Sequence, residues 1–526
     1  MSYADLVRKD SIPQSEPLDA RQVKNNAGGF VYALDIWGRL QRFLILGSDA
    51  QTYYESARKL TRDNAAVIEQ CWAADYARTA QAIIDISVAG RAPKNSPAIF
   101  ALALGTLSES VDARRAALAA VDQVCRTASH LFEFASTLDA LGRGFGRSVQ
   151  RTVQNWYESR PVDKLGYQMA KYRERYGYSH ERLIKRARPK AEDGDAQRVA
   201  LYRWAIGRDH DAGALPDVVV GHLAAMKAET ASELIPLIEK YRLTWEAVPT
   251  WALKDEKVWE ALLPNLGLTA LLRNLSTLTS VGVIKPLGKH NAFVEDRLTD
   301  AKQIKDARVH PYAILQGLTA YGMGRAVKGD RTWTPVSTIK DALDDAFYKA
   351  FDNVVPTGKR HLLAIDVSGS MTSSMIGGIV SARAASAAMS LVTARTEKQH
   401  HFCAFAGGIT PLDISPKMRL PDVNKTLGGF PFQRTDCAQP MLYALSKGLE
   451  VDAFVIYTDN DTWSGSIHPM EALKRYRKAT GINAKLVVVG MTSTGFTIAD
   501  PKDTGSLDIV GFDSSAVSVM GDFIRS

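Results

Sequence analysis

The spacing of apolar positions divides this chain near residue 355. Before that point apolar residues recur every three to four positions, the period of a helix with one buried face. In "ARRAALAAVDQVC", Ala117, Ala120, Val121 and Val124 share such a face, and Asp112 stands ahead of them, placed to cap the helix. Leu268, Leu271, Leu272 and Leu275 repeat the spacing in "LTALLRNL". Breakers such as "RAPKNSP" (91–97) and "VGVIKPLGK" (281–289) separate these stretches at helix-hairpin intervals. No strict repeat period is present. So many consecutive helices nevertheless predict an all-α helical-repeat array, not one compact bundle.

After "NVVPTGKR" (353–360) the period changes. Short apolar runs at 361–366, 400–405, 453–458 and 484–490 alternate with helix-like stretches at 376–396, 438–449 and 469–479. Runs that are apolar at every position suit strands covered on both faces, so this part is expected to be an α/β doubly wound domain with a parallel sheet. The expected division is a helical domain over 1–355 and the α/β domain over 356–526.

In such sheets ligands sit beyond the carboxyl ends of the strands. There, "AIDVSGSM" (364–371) sets Asp366, Ser368 and Ser370 at alternate positions, "YTDND" adds Asp459, and "QRTDCAQP" puts Thr435 and Asp436 just before a helix. These carboxylates and hydroxyls form an oxygen-only donor set, which suits Mg2+ or another hard divalent cation and suits zinc poorly. The plainer reading is that Asp366, Ser368 and Ser370 only cap the helix that follows. The constellation resembles the metal-ion-dependent adhesion site (MIDAS) of von Willebrand factor A domains. That resemblance implies direct or water-mediated magnesium ligation by Asp366, Ser368, Ser370, Thr435 and Asp459, with an open position for an acidic group of a protein ligand. Gln433 and Arg434 stand where related sites carry small glycines. An arginine beside a cation costs Coulomb energy unless its long stem carries the guanidinium away.

Composition narrows the classes. With 526 residues, 46% hydrophobic and 23% charged, the chain reads as a folded protein of two or three domains, not a disordered one. No run of eighteen apolar residues exists to span a membrane, and the N-terminus lacks the apolar core of a signal peptide, so a cytoplasmic protein is expected. Cys71, Cys125, Cys403 and Cys437 are scattered, as buried thiols in a reducing compartment would be. The net charge of +8 is local. Residues 141–190 hold 13 Lys/Arg against 4 Asp/Glu, a charge of +9, which leaves −1 for all the rest.

In that segment Arg143, Arg147 and Arg151 form one stripe if helical, and Lys171 and Arg175 a second pair with Arg173 off it; Lys185, Arg186, Arg188 and Lys190 close the run. Trp156, Tyr157, Tyr172, Tyr176 and Tyr178 are interleaved. Cations for phosphates and aromatics for unstacked bases make RNA the expected partner. Trp156 is expected in the core, because it lies on an amphipathic helix. A membrane surface is not expected, since no apolar insertion face accompanies the charge.

The order of motifs along the chain then carries a resemblance to a whole family. "GRLQRFLILGSDAQTYY" (38–54), "WYESR" (156–160), "KYRERYGYSHERL" (171–183), "LTALLRNL" (268–275), "RVHPYAIL" (308–315), "PTGKRHLLAIDVSGSM" (356–371), "TDCAQPM" (435–441) and "VVVGMTSTGFTIADP" (487–501) resemble the Ro ribonucleoprotein, or TROVE-domain, family in a bacterial version. The resemblance implies a ring of HEAT-like helical repeats joined to a von Willebrand A domain. It implies a small noncoding Y RNA on the outer surface and single-stranded 3′ ends of misfolded or defective RNAs in the central hole. It also implies a non-enzymatic role in RNA quality control and stress survival, beside an exoribonuclease tethered through the RNA. Carried over by position, Lys171, Arg173 and Arg175 match the basic outer-surface helix, His180 the "SH" step, and Arg188 a position where relatives commonly have a histidine. Arg143, Arg147 and Arg151 can line the surface, the hole or neither. His310 is assigned no role.

Two other readings remain. One is a von Willebrand A adhesion scaffold with the helices as spacer and no main RNA role, which leaves the +9 segment without a purpose. The other is a magnesium-dependent nuclease, for which no motif supplies a base or second metal.

Overall fold

The computed structural model describes residues 11–47, 57–307, 309–326, 329–351, 354–373, 375–376, 380–430, 434–492, 494–511 and 514–526. From Ile36 to Lys349 the described elements are helices, as the apolar period predicts, apart from one short hairpin at 174–179. Ala117, Ala120, Val121 and Val124 are all buried across the successive helices Val111–Ala119 and Val121–Val124. The cap is Ser110 and not Asp112. Ser110 has the extended backbone a cap needs, and its hydroxyl accepts from the Ala113 N–H at 3.2 Å. Asp112 sits inside the first turn, 3.5 Å from Arg115. Leu268, Leu271, Leu272 and Leu275 are buried on the helix Leu268–Ser280.

Early and late parts of the helical array touch. His310 caps the helix Pro311–Gly322 by accepting the Tyr312 N–H at its Nδ1, 3.0 Å away. Its Nε2 therefore carries the proton and donates to the Arg91 carbonyl at 3.0 Å, 219 positions away.

The C-terminal domain contains a six-stranded sheet. Number the strands β1 (Gln22–Lys24), β2 (Phe30–Ala33), β3 (His361–Asp366), β4 (His400–Phe405), β5 (Ile409–Leu412), β6 (Ala453–Thr458), β7 (Lys485–Gly490), β8 (Phe496–Thr497) and β9 (Ser506–Ile509). The spatial order is β9-β7-β6-β3-β4-β5. Five strands are parallel. The sheet is mixed, however, because edge strand β5 runs antiparallel to β4. A tight turn, closed by Ala406 N–H donating to the Gly408 carbonyl at 2.9 Å, leaves room only for that direction. The central strands β3 and β6 are buried at every position, the reason they read as unbroken apolar runs.

Residues 11–33 pack with this C-terminal domain. β1, β2 and β8 form a three-stranded antiparallel sheet, joining the front of the chain to residues 496–497. The next helix, Ile36–Leu46, continues the attachment through Arg42, whose guanidinium is buried and donates to Asp508 at 2.6 Å and to the Thr494 and Phe496 carbonyls at 3.1 Å.

Candidate RNA surface and cation site

The cation-site residues lie where β3 and β6 end. Asp366 closes β3 at 0% exposure, and Asp459 follows β6, also at 0%. Asp366 Oδ1 accepts the Ser368 N–H at 2.9 Å, and its Oδ2 accepts the Thr458 hydroxyl at 2.7 Å. The Ser368 and Ser370 hydroxyls lie 3.1 Å apart, and Ser370 also reaches Asp459. Thr435 is brought to the same edge, because its carbonyl accepts the N–H groups of Trp463 and Ser464 at 3.1 Å from the loop after Asp459. Asp436 is turned away from this set and accepts from Gln14, Gln439 and its own helix start.

Among the described residues neither Asp366 nor Asp459 has a lysine or arginine beside it to balance its charge. Burial, and then the charge of Asp459, push the Asp366 carboxyl up to about 7. Burial also raises Asp459, and burial together with Asp459 pushes Asp461 up to about 9. Asp459 Oδ2 and Asp461 Oδ2 are buried with no hydrogen-bond partner. Two carboxylates and three hydroxyls, held by neutral donors, are the donor chemistry of a hard divalent cation. Among the described residues no group of three or more His, Cys, Asp or Glu side chains is arranged to hold a metal ion, so a cation here would rest on the hydroxyls as well as the two carboxylates. The Arg434 guanidinium lies over the Trp463 ring, 5.2 Å from the centroid. Gln433 lies outside the described residues.

The loop that carries Asp459 is braced from the front of the chain. Asn25 Nδ2 donates to the Thr462 carbonyl at 2.7 Å, and the Asn26 N–H donates to Asp461 at 3.1 Å. Gln14 donates to Asp436 at 2.7 Å and accepts the Thr462 hydroxyl. Gly29 is required here, because a Cβ would lie 2.0 Å from the Thr462 carbonyl oxygen. Gln14, Asn25 and Asn26 escaped the sequence reading; nothing local in "IPQSEP" or "KNNAGG" announces partners more than 400 positions away. Asp461 carried a signal, its place two residues after Asp459 in "YTDND".

The basic segment is sorted by the structure. The helix Arg147–Glu158 begins at Arg147 with Gly146 as cap, so Arg143 precedes it and the three-arginine stripe shortens to Arg147 and Arg151. Arg143 is half-buried, with Nε donating to the Thr106 carbonyl at 3.2 Å. Lys171 ends the helix Val162–Lys171, half-buried, 3.1 Å from the Tyr167 hydroxyl and 3.5 Å from Glu246. Arg175 is not one helical turn beyond it. Residues 174–179 form a two-stranded hairpin, and Arg175 is exposed on its first strand. Arg173 is exposed, with one guanidinium nitrogen donating to His222 Nε2 at 2.8 Å.

His180 does not join the candidate surface. It is 4% exposed, its Nδ1 meets the Tyr157 hydroxyl at 2.9 Å, and burial holds its pKa down at about 3. The expectation that it contacts RNA is corrected: the ring is a neutral core group. Arg186 is half-buried, 2.7 Å from the Tyr178 hydroxyl and stacked over Phe145. Lys185 is exposed and paired with Glu181 of its own helix. Trp156 is buried as expected, its indole N–H bonded to the Cys125 carbonyl.

The exposed cations gather along two paired helices. Gln150 and Gln154 of Arg147–Glu158 donate to the Ala187 carbonyl at 3.2 and 2.7 Å, pinning the end of the helix His180–Ala187. That contact holds Arg188, left-handed at φ 54°, against the helix that carries Arg147 and Arg151. None of these three side chains has an ion-pair partner among the described residues, so their charge is free for an anion. The four cysteines are free and buried, as expected. No described helix is long and apolar enough to cross a membrane.

Comparison with known proteins agrees with both halves. A model of the Ro60 von Willebrand A domain matches residues 360–524, and a TROVE-domain model matches 23–213 and 238–321. The RNA-binding protein Ro60 of Deinococcus radiodurans is 42% identical over 98% of this chain and 97% of its own length. The RNA-binding protein Ro60 of Caenorhabditis elegans is 34% identical over 97% of this chain and 91% of its own. The crystal structure of the Deinococcus radiodurans Ro (Rsr) protein superposes with a TM-score of 0.71, covering 93% of this chain and 99% of that one at 40% identity.

Proposed function

The chain belongs to the Ro60 (TROVE) family of RNA-binding proteins, and from that premise we propose that it holds a small structured Y RNA on the outer face of its helical array. The exposed cations Arg147, Arg151, Arg173, Arg175, Lys185 and Arg188 supply the phosphate contacts. The observation that supports this most is the concentration of +9 within residues 141–190 on a chain that is otherwise near neutral. The contact between His310 and Arg91 is consistent with a closed array, through which single-stranded 3′ ends of misfolded RNAs pass.

The role is non-enzymatic: the protein binds and presents RNA, and an exoribonuclease tethered through the Y RNA degrades it in the cytoplasm during quality control and stress. Asp366, Ser368, Ser370, Thr435 and Asp459 would hold Mg2+, which would supply a Lewis-acidic site for an acidic protein ligand. The buried, unpartnered oxygen of Asp459 supports that assignment. Purified full-length protein is expected to bind a structured small RNA at low salt and, with Mg2+ present, to leave it intact. Cleavage lost on Asp366→Ala would overturn the non-enzymatic reading, and indifference to structured RNA at low salt would overturn the RNA surface.

A further inference from the structure

Seven aromatic residues lie between 141 and 190, all of them described, and Tyr176 alone is exposed, at 54%. The others are core or half-buried, Trp156 and Tyr157 fully so. Tyr176 stands at the tip of the hairpin that pairs Glu174 with Ser179 and Arg175 with Tyr178. Its φ is 55°, and that of Gly177 is 71°. Two-residue turns with both φ values positive favour Asn-Gly, and an aromatic side chain in the first position is disfavoured there.

The hairpin is nonetheless fixed. Arg182 donates to the Gly177 carbonyl at 2.8 Å, and Tyr178 turns inward to bond Asp139. The Tyr176 hydroxyl faces Glu133 on the underlying helix Ala128–Ala140, near enough to favour its charged form. A side chain with two rotatable bonds, on a turn this fixed, loses little freedom when its exposed ring is covered. Arg173 and Arg175, both exposed, flank it.

We propose that Tyr176 is a stacking platform for one unpaired base of the bound RNA, while Arg173 and Arg175 hold the neighbouring phosphates. The proposal rests on the reading of this segment as an RNA surface and goes further, since it assigns a preference for RNA that offers a single-stranded loop or bulge. Base–aromatic stacking is sequence-tolerant and worth roughly 5- to 100-fold in affinity per base.

The test uses full-length protein and two RNA probes, a hairpin with an unpaired loop and a blunt duplex of the same stem. Tyr176→Asn suits the turn better than tyrosine, so the hairpin is kept while the ring is removed. It is expected to weaken loop-RNA binding by roughly 5- to 100-fold, with unchanged salt dependence and duplex affinity unaltered. Tyr176→Phe, which keeps the ring, is expected to bind loop RNA as the natural protein does. Arg175→Gln is expected to flatten the salt dependence for both probes. Unchanged loop-RNA binding by Tyr176→Asn, or an equal loss for both probes, would overturn the stacking role. If Arg175→Gln alone weakens binding, RNA lies on this surface without a stacked base. If neither variant has any effect, the RNA surface itself is elsewhere.

Discussion

Arg175→Glu combined with Arg188→Glu is expected to weaken binding of a structured RNA on the order of 10²-fold at low salt and to reduce the slope of log affinity against log salt by about 1.5 to 2. Each reversal removes one phosphate contact and puts a repulsive charge in its place, so the loss shrinks as salt screens both. Arg175 is exposed on a strand and Arg188 sits just past a helix end, so neither change disturbs the core. Lys171→Glu is a poorer probe. It would set a second acid beside Glu246 in a half-buried pair and lower stability as well as affinity. An unchanged slope in the double variant would move the RNA surface away from this segment.

Magnesium should raise the melting temperature of the C-terminal domain by roughly 5–10 °C at saturating concentration, and Asp366→Asn should abolish that response. The physical reason is charge. Asp366 and Asp459 are both fully buried, and the groups that meet them are hydroxyls and N–H donors. A bound divalent cation offsets their mutual repulsion. Asparagine keeps an acceptor for the Ser368 N–H and can exchange roles with the Thr458 hydroxyl, while the repulsion is gone. The metal-free variant should therefore melt no lower than the metal-free natural protein. RNA affinity should be spared, because the site and the basic segment lie on different domains. A natural protein indifferent to Mg2+, or a variant that keeps the shift, would refute the cation site.

What was legible in the sequence follows the range of the interactions. The helical faces at 111–124 and 268–280 and the strands at 361–366 and 453–458 are set by local period, and the structure has them there. Asp366, Ser368, Ser370 and Asp459 were legible because two strand ends in one sheet converge. Burial within the basic segment was not. His180, Lys171, Arg143 and Arg186 resemble their exposed neighbours in sequence, and only partners such as Tyr157, Glu246, Thr106 and Phe145 bury the first and half-bury the others. The edge strand Ile409–Leu412 is short and half-exposed, so its apolar signal was weak. The brace formed by Gln14, Asn25 and Asn26 rests on a dozen or so residues with no periodicity, meeting a loop near the other end of the chain.

RNA held by the basic helices and hairpin of the array should leave its mark on them. The most direct measurement is ultraviolet crosslinking of full-length protein to a bound structured RNA, followed by mass mapping of the modified peptides. Crosslinks are expected within 141–190, with Tyr176 among them. Crosslinks confined to residues 360–526 would contradict that placement.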